Sequence, residues 1–506
     1  MIDDRPRYDQ HNLPVVGIGA SAGGLEALRE MFSAFREPAD MAFVVVQHLD
    51  PTHESLMAQL IERYTDMAVS QAAGGEVLEA NHIYVIPPGN GLAIEQGVLK
   101  LTEFVDPRGM RRPIDDFLES LAHDKRGNSA CVILSGTGAD GSRGMRAIME
   151  QGGLCLVQEP STARYDGMPT SAIRTGLVDV VSEPDGIIEH LSRFFDRTEM
   201  QTTARSAKID SPDYIDALCD RLRETVGHDF SSYKRPTLVR RVARRMQVLG
   251  IDDGMEYLRF TQSNLEECNL LFRDLLINVT RFFRDTEHFE KLNAEVIEPL
   301  VANARNGEEI RLWVPGCSSG EEAFTYAIYF IEAIRKHDVR PYVQIFATDI
   351  DDKMLDLGRA CTFPLSALTD IPAEFRDKYT IVNQDNFSLI PQVRDMVRFS
   401  LHSLIKDPPF SKIDLVSCRN LLIYLNEEIQ AQVVPLFHFA LRKDAYLFLG
   451  SSEAIGRFED LFETIDQSAR IFRRKSVRSH YSLQLARGST RDGERRAATP
   501  YRERSR

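Results

Sequence analysis

The stretch that decides the fold of the first half is Gly-Ile-Gly-Ala-Ser-Ala-Gly-Gly at residues 17–24, directly after two valines. An apolar run followed by small residues predicts a strand that turns sharply into a helix. The pattern Gly-x-Ser-x-Gly places Ser21 on that turn, as in a nucleophile elbow. The same letters also fit a dinucleotide-binding turn, which is normally followed by an acidic residue after the second strand. This chain has Gln47 and His48 there instead of an acidic residue. A third interpretation is that the small residues only pack at the turn.

Around this stretch, strand-like and helix-like segments alternate through residues 13–195. The candidate strands are 15–19, 42–47, 82–86, 131–135 and 153–157, and the candidate helices are 25–35, 55–64, 114–123 and 142–150. This alternation predicts a mainly parallel sheet covered on both faces. The polar residues 196–211 lack periodicity, so we expect a linker there.

Three residues with hydrolytic chemistry follow strands of this predicted sheet. Ser21 follows the first strand, His48 the second, and Asp140 lies in the glycine-rich loop after 131–135. Because parallel strands end at one edge of a sheet, we expect these side chains to lie together. A serine, a base and an orienting acid form a nucleophilic hydrolase site, with helix N-terminal amides available for an oxyanion. Each residue taken singly also fits a structural role.

A second strand–turn–helix pattern lies in the other half, at WVPGCSSGEE, residues 313–322. Gly316 and Gly320 would let a cofactor approach the backbone closely. Asp349 follows the next candidate strand, where a carboxylate can bind ribose hydroxyls or simply cap the next helix. The pattern predicts a nucleotide-type cofactor site.

Segments with helical periodicity fill residues 212–300, which predicts a small all-α domain. An α/β pattern resumes over 301–475, with a small β insertion expected within 362–396. The arginine-rich residues 476–506 contain few apolar side chains, so we expect disorder there.

Composition excludes several classes of function. A net charge of -14 argues against a nucleic-acid partner, and no apolar run is long enough for membrane insertion. The first residues do not resemble a secretory signal. The 7 cysteines include no Cys-x-x-Cys pair, so we expect reduced thiols, a cytoplasmic protein and no metal site.

Five stretches in the first half occur in a familiar order. They are GIGASAGGLEAL, QHLDPTH, IYVIPPG, ILSGTGADGSRG and VQEPSTARYDGMP. Together they resemble the catalytic domain of CheB-type chemoreceptor methylesterases, over about residues 13–195. The resemblance implies that Ser21 is the nucleophile, His48 the general base and Asp140 the residue that orients the base. It also implies hydrolysis of glutamyl γ-methyl esters and deamidation of certain glutamines. The receiver domain usual in that family is not expected on this chain.

The second half carries NVTRFFRD, VPGCSSGEEAFTYA, FATDIDDKML, FSKIDLVSCRNLLIY and LFLGSSEAI. Over about residues 213–475 it resembles CheR-type receptor glutamate methyltransferases, which implies a class I fold and S-adenosylmethionine as cofactor. The implied cofactor contacts are Asn278, Thr280, Arg284, Glu321, Asp349, Ser403, Leu404, Arg419 and Asn420, with Tyr424 beside the acceptor. Ser403 stands where the family usually has asparagine.

The chemistry implied for this second half requires alignment more than proton transfer. A glutamate carboxylate is already ionised at neutral pH, so it needs no general base. Arg284 would steer such carboxylates, although it also fits a solvated position on a helix.

A basic helix is predicted at residues 233–248, with no acidic residue in it. Its arginines fall in i,i+4 pairs beside an apolar stripe. These arginines are Arg240, Arg241, Arg244 and Arg245. We expect this helix to dock acidic receptor helices, with a solvated face or an RNA or phosphate partner as alternatives.

The sequence thus predicts a cytoplasmic bifunctional enzyme of chemosensory signalling. It would methylate receptor glutamates and hydrolyse the resulting esters, which changes like-charge repulsion between receptor helices. Its partners would be the cytoplasmic helices of methyl-accepting receptors. One alternative is an esterase–methyltransferase fusion that acts on a different substrate. Another is a receptor-binding scaffold that has lost one activity.

Overall fold

The computed structural model describes residues 12–35, 40–48, 55–104, 111–199, 212–276, 278–383 and 386–477. The predicted disordered tail lies outside the described residues from 478 onward, as does the predicted linker from 200 to 211. Within the described ranges, no helix combines the length and the apolar character that a membrane crossing requires.

The first half is a parallel α/β domain, as its alternating pattern predicts. Its strands are β1 (Val15–Ala20), β2 (Ala42–Gln47), β3 (Ala68–Gln71), β4 (His82–Val85), β5 (Gly91–Glu95), β6 (Val98–Thr102), β7 (Ser129–Ile133), β8 (Leu154–Gln158) and β9 (Val180–Ser182). Its helices are α1 (Gly24–Ser33), α2 (Met57–Ile61), α3 (Pro113–Lys125), α4 (Ser142–Glu150), α5 (Gly167–Arg174) and α6 (Ile187–Glu199).

The seven-stranded sheet of this domain has the order β3-β4-β2-β1-β7-β8-β9. Every pairing in it is parallel, and β1 lies between β2 and β7. The strand order therefore reverses direction next to β1, which is where open α/β sheets bind ligands. Each predicted strand is present, with ends shifted by at most 2 residues. The short strands β3 and β9 and the β5–β6 hairpin were not predicted, because brief segments carry too little periodicity.

The linker was expected from residue 196, which is earlier than the end of the preceding helix. Helix α6 continues to Glu199, so residues 196–199 are helical. The aromatic pair Phe194 and Phe195 is buried in the core beneath the sheet, which keeps the chain helical up to this point.

The second half comprises an all-α region and a second sheet, which confirms the predicted fold class. Its helices are α7 (Pro212–Val226), α8 (Arg235–Leu249), α9 (Gly254–Ser263), α10 (Leu265–Leu276), α11 (Thr286–Leu292), α12 (Glu298–Ala302), α13 (Glu321–His337), α14 (Asp352–Ala360), α15 (Ala373–Tyr379), α16 (Pro391–Arg394) and α17 (Glu427–Ala440). Its strands are β10 (Glu309–Pro315), β11 (Tyr342–Asp349), β12 (Thr362–Pro364), β13 (Thr380–Val382), β14 (Asn386–Leu389), β15 (Val397–Leu401), β16 (Ile413–Cys418), β17 (Leu441–Leu449), β18 (Phe462–Asp466) and β19 (Ile471–Arg474).

The main sheet of the second half has the order β15-β11-β10-β16-β17-β19-β18. The pairings from β15 to β17 are parallel, and β19 pairs antiparallel with both of its neighbours. Strands β12, β14 and β13 form the small antiparallel insertion that the sequence predicts. Since β10 lies between β11 and β16, the ligand-binding edge of this sheet is next to Pro315.

Candidate active sites and the contact between the domains

The turn after β1 holds Ser21 in a fixed position at the edge of the first sheet. The Ser21 amide donates to the Ser135 carbonyl at 3.0 Å, and Gln47 Nε2 donates to the Ser21 carbonyl at 3.2 Å. Gly23 has a φ of 74°, and a Cβ there would lie 2.7 Å from Ser135 Oγ. Only glycine fits that turn without strain. Because the Ser21 amide is already bonded, it is not a free oxyanion donor.

The three residues predicted for hydrolysis do come together. Nδ1 of His48 lies 3.4 Å from Ser21 Oγ, and its Nε2 lies 2.9 Å from Asp140 Oδ2. The imidazole is partly exposed, whereas the Asp140 carboxylate is buried. This connectivity requires the proton on Nε2, so that Nδ1 can accept from the serine.

Backbone amides fix the Asp140 carboxylate beneath the histidine. It accepts from the amides of Ile114, Asp115 and Gly141, at 3.2, 2.9 and 2.9 Å. A carboxylate so held cannot rotate away from His48.

Sequence reasoning missed Asp115, a fully buried carboxylate next to Asp140. Its Oδ1 accepts from the amides of Gly141, Arg143 and Gly144, so it fixes the first turn of α4. Burial, and then the neighbouring Asp140 carboxylate, raise the pKa of Asp115 well above its usual range. The sequence signal for Asp115 was an acidic residue in the first turn of a helix that begins with a proline. This signal is not specific, because acidic residues are common in the first turn of helices.

A cavity at the edge of the second sheet gathers most of the residues predicted to bind the cofactor. It is bordered by the loops after β10, β11, β15 and β16, and by the segment before α11. The predicted residues that border it are Asn278, Thr280, Arg284, Asp349, Ser403, Leu404, Arg419, Asn420 and Tyr424.

Asp349 lies at the end of β11, and backbone amides occupy most of the acceptor positions of its carboxylate. Its carboxylate accepts from the amides of Ser318 at 2.8 Å, Ile350 at 2.7 Å and Asp351 at 3.0 Å. Burial raises its pKa, while the amides of Asp351 and Ser318 act in the opposite direction. A carboxylate has about four acceptor positions, so about one remains for a ligand hydroxyl.

The cavity has polar atoms that a ligand would satisfy. Nε2 of His228, Oγ of Ser318 and Nδ1 of His402 are buried and lack a hydrogen-bond partner among the described residues. Burial also lowers the pKa of His228 to about 4, so this imidazole is neutral. Unpaired buried polar atoms are costly, and ribose hydroxyls, adenine nitrogens and amino-acid groups would pair them. The cavity therefore fits an adenosyl cofactor.

Glu321 does not border this cavity, contrary to the sequence-based expectation. Its carboxylate accepts the hydroxyl hydrogen of Ser319, whose Oγ lies 3.0 and 2.7 Å from the two carboxylate oxygens, and burial raises its pKa. The next residue, Glu322, borders the cavity instead. Consecutive helix residues point about 100° apart, and the pattern Gly-Glu-Glu does not show which glutamate faces inward.

The Arg419 side chain supports the wall of the cavity. It is fully buried between the rings of Phe289 and Phe448, at 4.9 and 5.0 Å from their centroids. Its guanidinium pairs with Asp285 at 2.6 Å and with Glu322 at 3.1 Å. It therefore fixes two segments that border the cavity, and only its backbone is available to a ligand.

Three of the four arginines predicted on the basic helix α8 are not available to an outside partner, so this prediction is wrong for them. Arg241, Arg244 and Arg245 are 2%, 4% and 2% exposed, while Arg240 is exposed. These buried arginines contact the first domain and the helical domain. Carboxylates there compensate the charge of two of them, and carbonyls at the end of a helix accept hydrogen bonds from the third, so their burial is tolerated.

The contacts of these arginines form one buried network between the domains. Arg244 pairs with Asp179 at 2.5 Å and Asp274 at 2.7 Å, Arg245 pairs with Glu267 at 2.7 Å and Asp179 at 3.4 Å, and Arg241 donates to the carbonyls of Met149 and Glu150 at 3.1 and 3.2 Å.

Family models match nearly the whole described chain. A CheB methylesterase model matches residues 16–191, a CheR methyltransferase all-alpha domain matches 213–276, and a CheR methyltransferase SAM binding domain matches 278–471. The all-alpha model ends at residue 276, and the SAM binding model begins at residue 278.

Three similar proteins cover different parts of the chain. An "Uncharacterized 104.1 kDa protein in hypE 3'region" of Rhodobacter capsulatus is 34% identical over 82% of this chain, which spans 46% of that protein. A "Chemotaxis protein methyltransferase" of Borreliella burgdorferi is 32% identical over 48% of this chain and 88% of its own length. The solved CheB methylesterase catalytic domain of Thermotoga maritima is 28% identical, with a TM-score of 0.32, over 36% of this chain and 97% of its own. The chain therefore belongs to the CheR methyltransferase family, which uses S-adenosylmethionine, and it joins to that methyltransferase an N-terminal CheB methylesterase domain.

Proposed function

We propose that this protein methylates glutamate side chains of chemoreceptors and also hydrolyses the resulting glutamyl methyl esters. The observation that carries the proposal is the joint presence of a Ser21–His48–Asp140 arrangement and a cavity that fits an adenosyl cofactor. Each of these belongs to a domain whose family performs one of the two reactions.

In the hydrolytic reaction, Ser21 Oγ attacks the ester carbonyl while His48 Nδ1 takes its proton. The imidazolium, held by Asp140 at 2.9 Å, then gives the proton to departing methanol. Water hydrolyses the acyl-enzyme by the same route. The 3.4 Å distance between nucleophile and base is typical of an apo site that tightens with substrate. Attack on a glutamine amide by the same residues would release ammonia, which is the deamidation that we also propose.

In the transfer reaction, S-adenosylmethionine supplies an electrophilic methyl group when it is bound. Asp349, Ser318 and His402 would hold its polar groups, since they border the cavity. No residue need act as a base, because the acceptor carboxylate is ionised. Arg284 and Tyr424 border the same cavity and would orient that carboxylate.

One experiment tests both reactions on the same substrate. The purified chain is incubated with a cytoplasmic receptor fragment and methyl-labelled S-adenosylmethionine. We expect label to appear on receptor glutamates, and methanol to be released when donor is removed. Label on small carboxylic acids but not on the receptor would point to a different substrate. Donor binding with neither reaction would contradict the proposal in favour of a scaffold.

A further inference from the structure

Helix α4 of the esterase domain lies against the methyltransferase half along its whole length. Its first turn, middle and last turn each make a polar contact across the domain boundary. The contacts are Arg143 with Asp370 at 3.5 Å, Arg146 Nη1 with the Thr280 carbonyl at 2.7 Å, and the carbonyls of Met149 and Glu150 with Arg241. This helix is therefore held in one position relative to the cofactor cavity.

A second cavity, of about 350 Å³, lies between α4 and the methyltransferase domain. It shares Val279, Thr280 and Arg284 with the cofactor cavity, so these residues form the wall between the two spaces. The esterase domain borders the second cavity with Arg146 and Glu150, among others. An acceptor side chain in this space would thus be in contact with both domains.

Glu150 brings a carboxylate to this wall. Burial raises its pKa, while Arg146, Arg284 and Arg241 act in the opposite direction. Those arginines come from the esterase domain, the wall and the helical domain respectively. His123, also beside the second cavity, is a further group facing Glu150. The carboxylate of Glu150 therefore borders the same cavity as Arg146 and Arg284.

We propose that the esterase domain completes the acceptor side of the methyl-transfer site, with Glu150 as a resident carboxylate that borders the same cavity as Arg284 and whose charge opposes the entry of an acceptor glutamate. The proposal rests on the proposed transfer to glutamate, because only an anionic acceptor is repelled by the Glu150 carboxylate. Repulsion between two carboxylates that border one cavity weakens acceptor binding and therefore raises the acceptor KM. The esterase domain would thereby set how strongly an acceptor must bind.

The first test needs no acceptor. S-adenosylmethionine carries a positive sulfonium, whereas S-adenosylhomocysteine is neutral at sulfur. A carboxylate near the wall favours the sulfonium, so we expect Glu150→Gln to lower the preference for S-adenosylmethionine by about threefold or more in calorimetric titrations. The control is Glu189→Gln, which removes the same charge from an exposed position of the same domain. An unchanged preference in Glu150→Gln would overturn the proposal.

The second test measures methylation of the receptor fragment by the full chain. We expect Glu150→Gln to lower the acceptor KM by about three- to tenfold at a similar kcat, with Glu189→Gln unchanged. A KM that rises or stays constant contradicts repulsion of the acceptor by Glu150. If the wild-type chain binds donor but methylates no receptor, the proposed function fails, while the donor-preference test still decides the position of Glu150.

Discussion

At the scale of single residues, Ser21 belongs to the esterase domain and the described contacts across the domain boundary do not include it. We expect Ser21→Ala to abolish methanol release, with a loss of about 10⁴-fold or more, because the attacking oxygen is gone. Methyl transfer should remain at the wild-type rate, since the cofactor cavity has its own residues. Both rates are measured on one receptor fragment. Methanol release at the wild-type rate would show that Ser21 is not the nucleophile.

Asp349 tests the cofactor cavity in the same manner. We expect Asp349→Asn to weaken S-adenosylhomocysteine binding by about ten- to a hundredfold, because a charge-assisted bond contributes about 1.5–3 kcal/mol. Asparagine keeps one oxygen for the amides of Ile350 and Asp351, which limits damage to the loop. Calorimetry measures the affinity, and Asp352→Asn, at an exposed position of α14, is the control. Unchanged affinity would rule out a ligand contact at Asp349.

Asp115 gives a prediction about pH. Its pKa is raised in the folded protein, so its contribution to stability is present below the unfolded value of about 3.9 and is lost as pH rises through the folded value. Asparagine cannot ionise, so Asp115→Asn should not lose stability over this window. We expect the Tm of the variant, relative to wild type, to increase between pH 4 and pH 7. A difference in Tm that is constant with pH would show that Asp115 does not titrate there.

The sequence predicted the position of Ser21, His48 and Asp140 because strand ends of a parallel sheet share one edge. It did not predict Asp115, which lies at the start of a helix and meets Asp140 only in the folded domain. It also assigned Glu321 to the cavity instead of Glu322, because adjacent positions on a helix are not distinguished by a motif. The roles of these residues in binding and catalysis stay predictions.

At the scale of secondary-structure elements, α8 shows what local pattern cannot decide. Four arginines beside an apolar stripe fit a solvated face, a docking face or an internal contact equally well. The buried partners have no sequence signal of their own: Asp274 and Glu267 lie on α10, and Asp179 lies in the loop before β9. The short strands β3 and β9 were missed for a related reason, since pairing with neighbours decides whether such segments become strands.

The pair between α8 and α10 should be sensitive to loss of one partner. Glu267 receives two hydrogen bonds from Arg245 and one from the Tyr257 hydroxyl. We expect Glu267→Ala to reduce the free energy of unfolding by about 3–5 kcal/mol, because it leaves a buried guanidinium short of charge compensation. Denaturant unfolding monitored by circular dichroism measures the loss.

Arg223→Gln is the matched control for this pair. Arg223 pairs with Asp220 at 2.7 Å, but both side chains are more than half exposed. Surface pairs contribute about 0–1 kcal/mol, so this variant should unfold almost as wild type. Equal losses in Glu267→Ala and Arg223→Gln would contradict the importance of burial.

At the scale of the whole molecule, buried ion pairs join the two enzymatic halves. The fold class of each half follows from its own alternation of strands and helices, and this part was predictable. The relative placement of the halves was not, because it depends on ion pairs between residues that are 65 and 66 positions apart in the sequence. Helix α4 links the two sites physically, since it starts next to Asp140 and ends at Glu150.

Asp179 is the residue whose loss should separate the halves. It belongs to the esterase domain and pairs with both Arg244 and Arg245 of the helical domain. We expect calorimetry of Asp179→Asn to show two thermal transitions where wild type shows one, because the shared network makes the halves unfold together. Asparagine keeps the shape of the side chain and an oxygen for the Cys155 amide, so the esterase fold itself should survive. Glu189→Gln, again, removes a charge from the same domain at an exposed site and should keep the single transition. A single transition in Asp179→Asn at the wild-type temperature would mean that the remaining contacts across the boundary couple the halves without Asp179.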